Sequence, residues 1–301
     1  MIYVGSCSWA EKSLVAGGRV YPPGIRSAEA RLRYYASLFP TVEVDSSYYA
    51  VPSRKNSETW ASRTPKGFIF HVKAHGAMTG HPVEPRGLPR DIRKSLGMDD
   101  SSHRVRIRDV GLVREIAGRF DAAIEPLQDA GKLGYVLFQF APSLRAGPKT
   151  MDFLTRALGL TSYPKAVEFR HGSWYAQGIK EELVMLLRDI GAVLVCADEP
   201  DFGNETTVPF EFLPTACDAY FRLHGRNRET WFARGIDAAR RFDYSYSDSE
   251  LAEMLRIFLD AEKNLRRVFV MFNNHKDGQG IANARTLMGM LRNQGGLLAE
   301  S

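Results

Sequence analysis

The chain has few cysteines and no long apolar run, and each absence excludes a class of protein. Its 301 residues include three cysteines, Cys7, Cys196 and Cys217, which lie far apart in the sequence. An odd number without close pairs provides neither a disulfide framework nor the spacing of a zinc site. No stretch reaches the roughly 20 consecutive apolar residues that a membrane-spanning helix requires. We therefore expect reduced thiols and no membrane segment.

Two further patterns are absent near the N-terminus. No basic segment precedes an apolar one, so the sequence predicts no signal peptide and a cytoplasmic protein. The apolar residues Ile2, Tyr3 and Val4 indicate instead that a strand begins almost at once. Gly5-Ser6-Cys7-Ser8-Trp9 follows that strand and lacks the glycine spacing of a dinucleotide-binding fingerprint.

The bulk composition is that of an ordinary globular protein. Hydrophobic residues make up 44% of the chain and charged residues 25%, which is sufficient for a sizeable core. The net charge of +5 and the pI near 9.1 are mildly basic. This balance is compatible with an anionic ligand, but it is far from that of a basic nucleic-acid-binding tail.

Short apolar runs alternate with helical patterns along the chain. We predict strands at 2–6, 41–45, 68–73, 134–139, 166–170, 193–197, 219–223 and 268–273. We predict helices at 27–39, 53–63, 110–130, 148–158, 178–190, 248–264 and 280–293. Such alternation indicates a parallel sheet, and eight strands are the number in a closed (β/α)8 barrel. An open doubly wound sheet is the alternative. No linker divides the chain, so we expect one domain over 1–301 with a core at about 2–291.

Several strands carry polar residues at every second position near their C-terminal ends. Val42-Glu43-Val44-Asp45 and Val167-Glu168-Phe169-Arg170 show the pattern most clearly. Because alternate side chains of a strand face opposite sides, the polar positions should face the barrel interior or mouth. The apolar positions should face the helices, and they are Val42, Val44, Val72, Val167, Phe169, Phe221 and Leu223. The polar set is Glu43, Asp45, Lys73, Gln139, Glu168, Arg170, Asp198, Arg222, His224, Asn273 and Asn274. We predict that Glu168 and Arg222 lie within a few ångströms of each other.

Three chemistries fit this polar set. Glu43, Glu168 and Asp198 can supply carboxylates for acid–base or glycosidic catalysis. Carboxylates with His224 can hold a divalent metal ion, although neighbouring cations compete for them. The third option is an anion clamp for a phosphate or carboxylate group, built from Lys73, Arg170, Arg222 and His224. Cations on three strands favour an anion over a neutral sugar. An interior lattice of structural ion pairs is the alternative to any site.

No cysteine and histidine cluster has the spacing of metal ligands, and cations crowd the carboxylates. We therefore predict no tightly bound structural metal, while a loosely bound divalent cation stays open.

Two long connections, 74–109 and 224–247, are rich in arginine and follow the third and seventh strands. In a barrel both emerge at the C-terminal face, where active sites lie, on opposite sides of the mouth. We expect them to raise the positive potential there. Such a field attracts small anions or short nucleic acids in a salt-dependent manner. Loop aromatics such as Tyr49 and Trp174 can stack on a ligand or fill space between loops.

Seven segments come in the order of one family. They are Gly5-Ser6-Cys7-Ser8-Trp9, Val42–Tyr49, Phe70–Lys73, Lys132–Pro142, Val167–Trp174, Tyr220–Gly225 and Phe272–Asn274. The chain resembles the YecE-like family, a domain of unknown function (number 72), from the first strand to about Leu291. Ser46-Ser47-Tyr48-Tyr49 differs from the usual Asn-Ser/Thr-Phe-Tyr of the family, but the charged strand ends are intact. The resemblance implies a TIM-type barrel and no established activity.

The sequence predicts a single-domain (β/α)8 barrel that acts as a hydrolase or lyase on a small anionic or nucleic-acid-like substrate at its C-terminal mouth. The expected catalytic residues are Glu43, Glu168, Asp198 and His224. The expected substrate-binding residues are Lys73, Arg170, Arg222, Asn273, Gln139, Tyr49 and Trp174. A non-catalytic barrel that binds nucleic acid or a phosphorylated ligand is the alternative, and a glycoside-type hydrolase is the second. Carboxylates that are all held by arginines would favour binding or structure over catalysis.

Overall fold

Each predicted apolar run is a strand in the computed structural model, which describes residues 1–99 and 102–300. The strands are β1 Ile2–Ser6, β2 Thr41–Val44, β3 Ile69–Lys73, β4 Leu133–Gln139, β5 Lys165–Glu168, β6 Val193–Asp198, β7 Asp218–Leu223 and β8 Arg267–Phe272. All neighbours pair in parallel and in sequence order, and β1 also pairs with β8. The eight strands therefore form a closed barrel, as predicted, and not an open sheet.

Helices surround this barrel. They are α1 Lys12–Ala16, α2 Ala28–Ala36, α3 Arg54–Ser62, α4 Arg90–Ser95, α5 Val110–Asp129, α6 Pro148–Leu158, α7 Ile179–Ile190, α8 Ala238–Arg241, α9 Asp248–Asn264 and α10 Gln279–Asn293. Side-chain caps fix several of their starts. The Ser27 hydroxyl accepts from the Ala30 amide at 3.0 Å, and Ser247 forms a capping box with Glu250. Among the described residues, no helix combines the length and apolar character needed to cross a bilayer.

All seven predicted helices are present, within a few residues at each end. The short helices α1, α4 and α8 were not predicted, because four to six residues are too few to show a helical period. No helix lies between β6 and β7, where residues 199–217 are irregular. Phe210 and Phe212 from this segment pack on Phe221 at centroid distances of 6.3 and 5.1 Å. They cover the outer face of β7 in place of a helix.

The alternation along the strands separates two cores. The predicted helix-facing residues Val42, Val44, Val72, Val167, Phe169, Phe221 and Leu223 all lie in the core between barrel and helices. A second core fills the barrel and includes Leu137, Val195 and Met271. Deep in the barrel, His71 packs edge-on against Phe269 and Tyr220, at 4.5 and 4.8 Å between centroids. The polar strand positions form layers above this apolar floor.

Candidate functional site

Arg222 on β7 is the centre of the polar layer and is fully buried. Its guanidinium donates to Glu43 of β2 through Nε at 2.9 Å and Nη2 at 2.8 Å. On the other side Nη1 donates to Glu168 of β5 at 2.6 Å and to Gln139 of β4 at 3.2 Å. The predicted proximity of Glu168 and Arg222 is confirmed. One guanidinium thus connects four strands across the barrel.

The charges in this layer hold one another ionised. Burial alone would raise the pKa of Glu168, but Arg222, His224 and Arg170 outweigh it and keep that pKa well below its ordinary value. Burial opposes the charge of Arg222 as well, and the carboxylates of Glu168 and Glu43 raise the pKa of its guanidinium. Glu43 also accepts from the Tyr220 hydroxyl at 2.8 Å. Both carboxylates are therefore fully engaged by donors, and the lowered pKa makes Glu168 a poor proton acceptor.

His224 lies directly above this layer, after β7, and is buried. Burial is the main cause that lowers its pKa to about 3, so the imidazole is neutral at physiological pH. Its Nε2 is 3.1 Å from Glu168 Oε1, and its Nδ1 is 2.9 Å from the amide nitrogen of Asn273. A carboxylate requires a donor, so Nε2 carries the proton and Nδ1 accepts from Asn273. Asn273 and Glu168 together fix the tautomer.

Arg170 connects this group to a residue that the sequence reasoning missed, Glu199. The Arg170 guanidinium donates to Glu168 at 3.1 Å through Nη1, and its Nε forms an ion pair with Glu199. Burial raises the pKa of Glu199 to about 7, although Arg170 opposes that shift. Strict alternation on β6 would have found it, because Val193 and Val195 face the barrel interior and Glu199 continues their parity.

Asp198 belongs to a different contact. It follows the outward parity of Leu194 and Cys196, and its carboxylate accepts from Arg226 at 2.8 Å and from the Tyr246 hydroxyl at 2.6 Å. Arg226 also pairs with Glu250 at the start of α9, at 3.4 Å. The expectation that Asp198 points into the mouth is wrong: it ties the end of β6 to α9.

Within the described part of the chain, one group of residues has ligand atoms close enough together for a metal ion. Ligand atoms of Glu168, Glu199 and His224 lie within 4.8 Å of one another. However, Arg170 contacts both carboxylates, and His224 donates its Nε2 proton to Glu168. In this arrangement a guanidinium supplies the positive charge that a metal would bring, and one ligand nitrogen is protonated. These three residues therefore do not fit a metal ion as they stand.

A cavity of about 970 Å³ opens above the polar layer at the C-terminal end of the barrel. We call it the mouth. Its polar lining includes Glu43, Asp45, Lys73, Gln139, Arg170, Asn273 and His275. Its aromatic lining includes Trp9, Tyr48, Tyr49, Trp60 and Phe242. The Lys73 ammonium is 3.8 Å from Asp45 and 5.1 Å from the centre of the Tyr48 ring, so it forms no close hydrogen bond there.

The two predicted aromatic contacts differ. Tyr49 lines the mouth and is largely exposed. Trp174 is fully buried, stacks on Phe169 at 4.2 Å between centroids, and donates its Nε1 proton to the Leu144 carbonyl at 2.8 Å. Trp174 therefore packs the loops against the barrel and does not reach the mouth.

The basic loops reach the mouth, but their arginines do not line it. His81 comes from the loop after β3, and Asp237, Ala238, Ala239 and Phe242 come from the loop after β7. Arg104 pairs with Glu84, and the Arg241 guanidinium donates to the backbone carbonyls of Trp231 and Ala233. The cations that line the mouth are Lys12, Lys73 and Arg170, beside the acids Glu11, Glu43, Asp45 and Asp237. The expected rise in positive potential around the mouth stays a prediction.

A family model and a known protein both match nearly the whole chain. Residues 3–300 match the model described as "Protein of unknown function DUF72". The chain is 29% identical over 299 residues to the UPF0759 protein YunF of Bacillus subtilis (strain 168), covering 97% of this chain and 95% of that protein.

Solved structures of DUF72 family proteins have the same fold. The protein from Thermotoga maritima has a TM-score of 0.76 at 30% identity, covering 97% of this chain and 99% of that chain. The protein from Enterococcus faecalis has a TM-score of 0.77 at 25% identity, with 97% and 96% covered.

Proposed function

Because this chain belongs to the DUF72 family of proteins of unknown function, we propose a function from the mouth itself. The mouth binds a small molecule that carries both an anionic group and a hydroxyl group, such as a phosphate ester of a polyol. The bound molecule is the substrate of a hydrolase or lyase reaction. The observation that carries the proposal is a set of donors and an acceptor that line the mouth without full partners.

The anionic half of the ligand is matched by Lys73 and Arg170. Lys73 has no carboxylate oxygen closer than 3.8 Å among the described residues. Arg170 uses Nη1 and Nε on Glu168 and Glu199, which leaves its Nη2 for the mouth. The side-chain amide nitrogen of Gln139 adds a third donor, since its oxygen accepts from Arg222. Two fixed cations and an amide are suited to a phosphate or carboxylate.

The hydroxyl half is matched by Asp45. Its Oδ1 is buried and has no hydrogen-bond partner among the residues that the structure describes. A buried acceptor without a donor is costly, at about 1–3 kcal/mol, and a ligand hydroxyl would remove that cost. Asp45 also differs from Glu43 and Glu168, because its nearest cations, Lys73 and Arg222, are both 3.8 Å away. It is the carboxylate best placed to accept a proton from a substrate.

In this proposal three of the expected catalytic residues, Glu43, Glu168 and His224, act together as support. Glu43 and Glu168 hold Arg222, and Glu168 with His224 positions Arg170. Asn273 fixes His224 and also lines the mouth. The fixed cations stabilise negative charge that develops during reaction, which is the most general contribution a preorganised site makes.

Turnover of a phosphate-ester panel tests the enzymatic part. We expect the wild-type protein to release phosphate from, or eliminate across, at least one hydroxylated phosphate ester. Asp45→Asn should lower kcat by about 10²–10⁴-fold, the range for loss of an acid–base group, while ligand affinity changes little. Binding without turnover of any ester by the wild-type protein would refute catalysis.

That outcome would leave the second candidate, a barrel that binds an anionic ligand without chemistry. The observation that favours it is the complete engagement of the two carboxylates, Glu43 by Arg222 and Tyr220, and Glu168 by Arg222, Arg170 and His224. A glycoside-type mechanism needs a carboxyl group that remains protonated, and it gains no such support because Glu199, whose pKa burial raises to about 7, does not line the mouth. A short nucleic acid as ligand is favoured only by an aromatic pair outside the mouth. Phe202 and Phe232 lie 4.9 Å apart, with Arg228 5.2 Å from the Phe202 ring centre.

A further inference from the structure

A second concave site lies outside the mouth, between the loop after β3 and the helices α5 and α6. Its volume is about 760 Å³, within the usual range for small-molecule sites. We call it the arginine cleft. Its apolar lining includes Met78, Ile107, Val110, Val113, Leu144, Phe153 and Leu160. Its charged lining consists of Arg106, Arg108, Arg114 and Arg156. No residue that lines the mouth also lines this cleft.

The charge of the arginine cleft has one sign. Among the residues that the structure describes, its lining contains no aspartate or glutamate. None of the four arginines forms an ion pair with any residue in the parts of the chain that the structure describes, 1–99 and 102–300. Other surface arginines of this protein do, as Arg119 does with Asp91 and Arg54 with Glu125. Four unpaired guanidinium groups around one cavity create a field that an anion would neutralise.

The apolar part of the lining is as distinctive as its charge. Val110, at the first turn of α5, is 56% exposed, which is unusual for a large apolar side chain beside other apolar groups. Gly118 lies further along α5 than Val110, and Gly159 follows α6. Both glycines line the cleft. The position of a Cβ at Gly118 has no atom within 4 Å, so the floor there is open. An elongated apolar group could lie along this surface with its end among the arginines.

We propose that the arginine cleft binds a free single-chain amphiphile with an anionic head, of the fatty-acid class. The apolar chain lies against Val113, Phe153 and Leu160, and the carboxylate or phosphate head contacts the arginines. The proposal is independent of the function of the mouth, and substitutions there should not affect it. The four arginines favour an anionic head by charge complementarity, and the open apolar floor favours an aliphatic chain.

Titration calorimetry with dodecanoate tests the proposal. The comparison ligands are butyrate, which has the same head and a short chain, and dodecyltrimethylammonium, which has the same chain and the opposite charge. We expect saturable binding of dodecanoate at one site, with both comparison ligands weaker by about tenfold or more. Added salt should weaken dodecanoate binding, because it screens the arginines.

Two matched pairs of variants locate the binding. Gly118→Leu puts an apolar side chain at the open floor, where a Cβ has no atom within 4 Å, and it replaces a helical glycine, so it should fold and lower dodecanoate affinity by about tenfold or more. Gly289→Leu on α10 is the control, because a Cβ there also has no atom within 4 Å. Arg114→Ala with Arg156→Ala should weaken binding similarly, whereas Arg256→Ala on α9 should not.

Three results would overturn the proposal. The first is no binding of dodecanoate by the wild-type protein at low ionic strength. The second is equal affinity in Gly118→Leu and Gly289→Leu, which would place the ligand elsewhere. The third is binding of the cationic amphiphile as tight as that of dodecanoate, which would show that the arginines do not select the head. Binding to anionic phospholipid vesicles without binding to free dodecanoate would replace a small-molecule site with a membrane-facing surface.

Discussion

At the scale of single residues, Arg222 is the most consequential side chain of the barrel. It is buried between Glu43 and Glu168, and it is the main cation within hydrogen-bond distance of both. A buried ion pair contributes little net stability compared with apolar packing, but removal of one partner leaves charge uncompensated in a medium of low polarity. The effect of a substitution on stability therefore depends strongly on which of Arg222, Glu43 and Glu168 is removed.

Replacement of Arg222 should be severe. We expect Arg222→Met to lower the free energy of unfolding by about 3–5 kcal/mol, because two buried carboxylates then face each other without their shared cation. Arg266→Met is the control, since the Arg266 side chain is exposed and its buried partner Asp218 keeps Arg267 and the Tyr135 hydroxyl, so the loss should be only about 0–1 kcal/mol. Urea unfolding measures both. Equal losses in the two variants would contradict the central role of Arg222.

His224 should make stability depend on pH. Its folded pKa of about 3 lies below the unfolded value of about 6.5, so the unfolded chain binds the additional proton. The stabilising contribution is complete above pH 6.5 and is lost as the pH falls toward 3. Between pH 7 and pH 5 the wild-type protein should lose about 1–2 kcal/mol more stability than His224→Gln.

Urea unfolding of each protein at the two pH values measures this difference. His103→Gln, which changes an exposed histidine, is the control and should retain the wild-type dependence. If His224→Gln loses as much stability on acidification as the wild-type protein does, the imidazole is not held neutral by its buried environment.

At the scale of strands and helices, the alternation of polar and apolar residues predicted the strands and their outward faces reliably. Period-two patterning predicted all eight strands, and the seven outward residues that it named lie in the outer core. It also brought together Glu43, Glu168, Arg170 and Arg222. The prediction failed at β6. It named Asp198, which lies on the outward-facing side of the strand, and it missed Glu199, which lies on the inward-facing side. It could not place Trp174, because loop side chains follow no period.

The seam between β1 and β2 offers a test at this scale. Gly5 pairs with Thr41, and a Cβ on Gly5 would lie 2.3 Å from the Thr41 carbonyl oxygen. Backbone atoms cannot move aside as a flexible side chain would, so Gly5→Ala should destabilise the protein by about 1–3 kcal/mol.

Gly289→Ala is the matched change for the seam. Gly289 lies within α10, and a Cβ at this position has no atom within 4 Å. Because alanine favours the helix more than glycine does, this variant should be up to about 1 kcal/mol more stable than the wild-type protein. Thermal or urea unfolding compares the two alanine variants. If Gly5→Ala leaves the free energy of unfolding unchanged, β1 and β2 are less tightly packed at Gly5 than this distance implies.

At the scale of the whole molecule, the distribution of charge matters more than its sum. A net charge of +5 predicts only a mild preference for anions. Arg226 pairs with Asp198 and Arg104 with Glu84, Lys73 and Arg170 line the mouth, and the arginine cleft has four arginines without an ion pair among the described residues. Which arginines are paired could not be predicted from sequence, because each partner comes from a distant segment or from across a loop.

Titration calorimetry with a phosphorylated polyol, such as glycerol phosphate, tests the central claim about the mouth most directly. Glycerol and inorganic phosphate each supply half of the ligand and serve as comparisons. Lys73→Met removes a cation that faces the mouth, and Lys66→Met removes an exposed lysine that does not line it. We expect one saturable site in the wild-type protein and in Lys66→Met, and affinity lower by about tenfold or more in Lys73→Met. Failure of every phosphorylated polyol to bind at low ionic strength, or equal binding by the two lysine variants, would contradict the account.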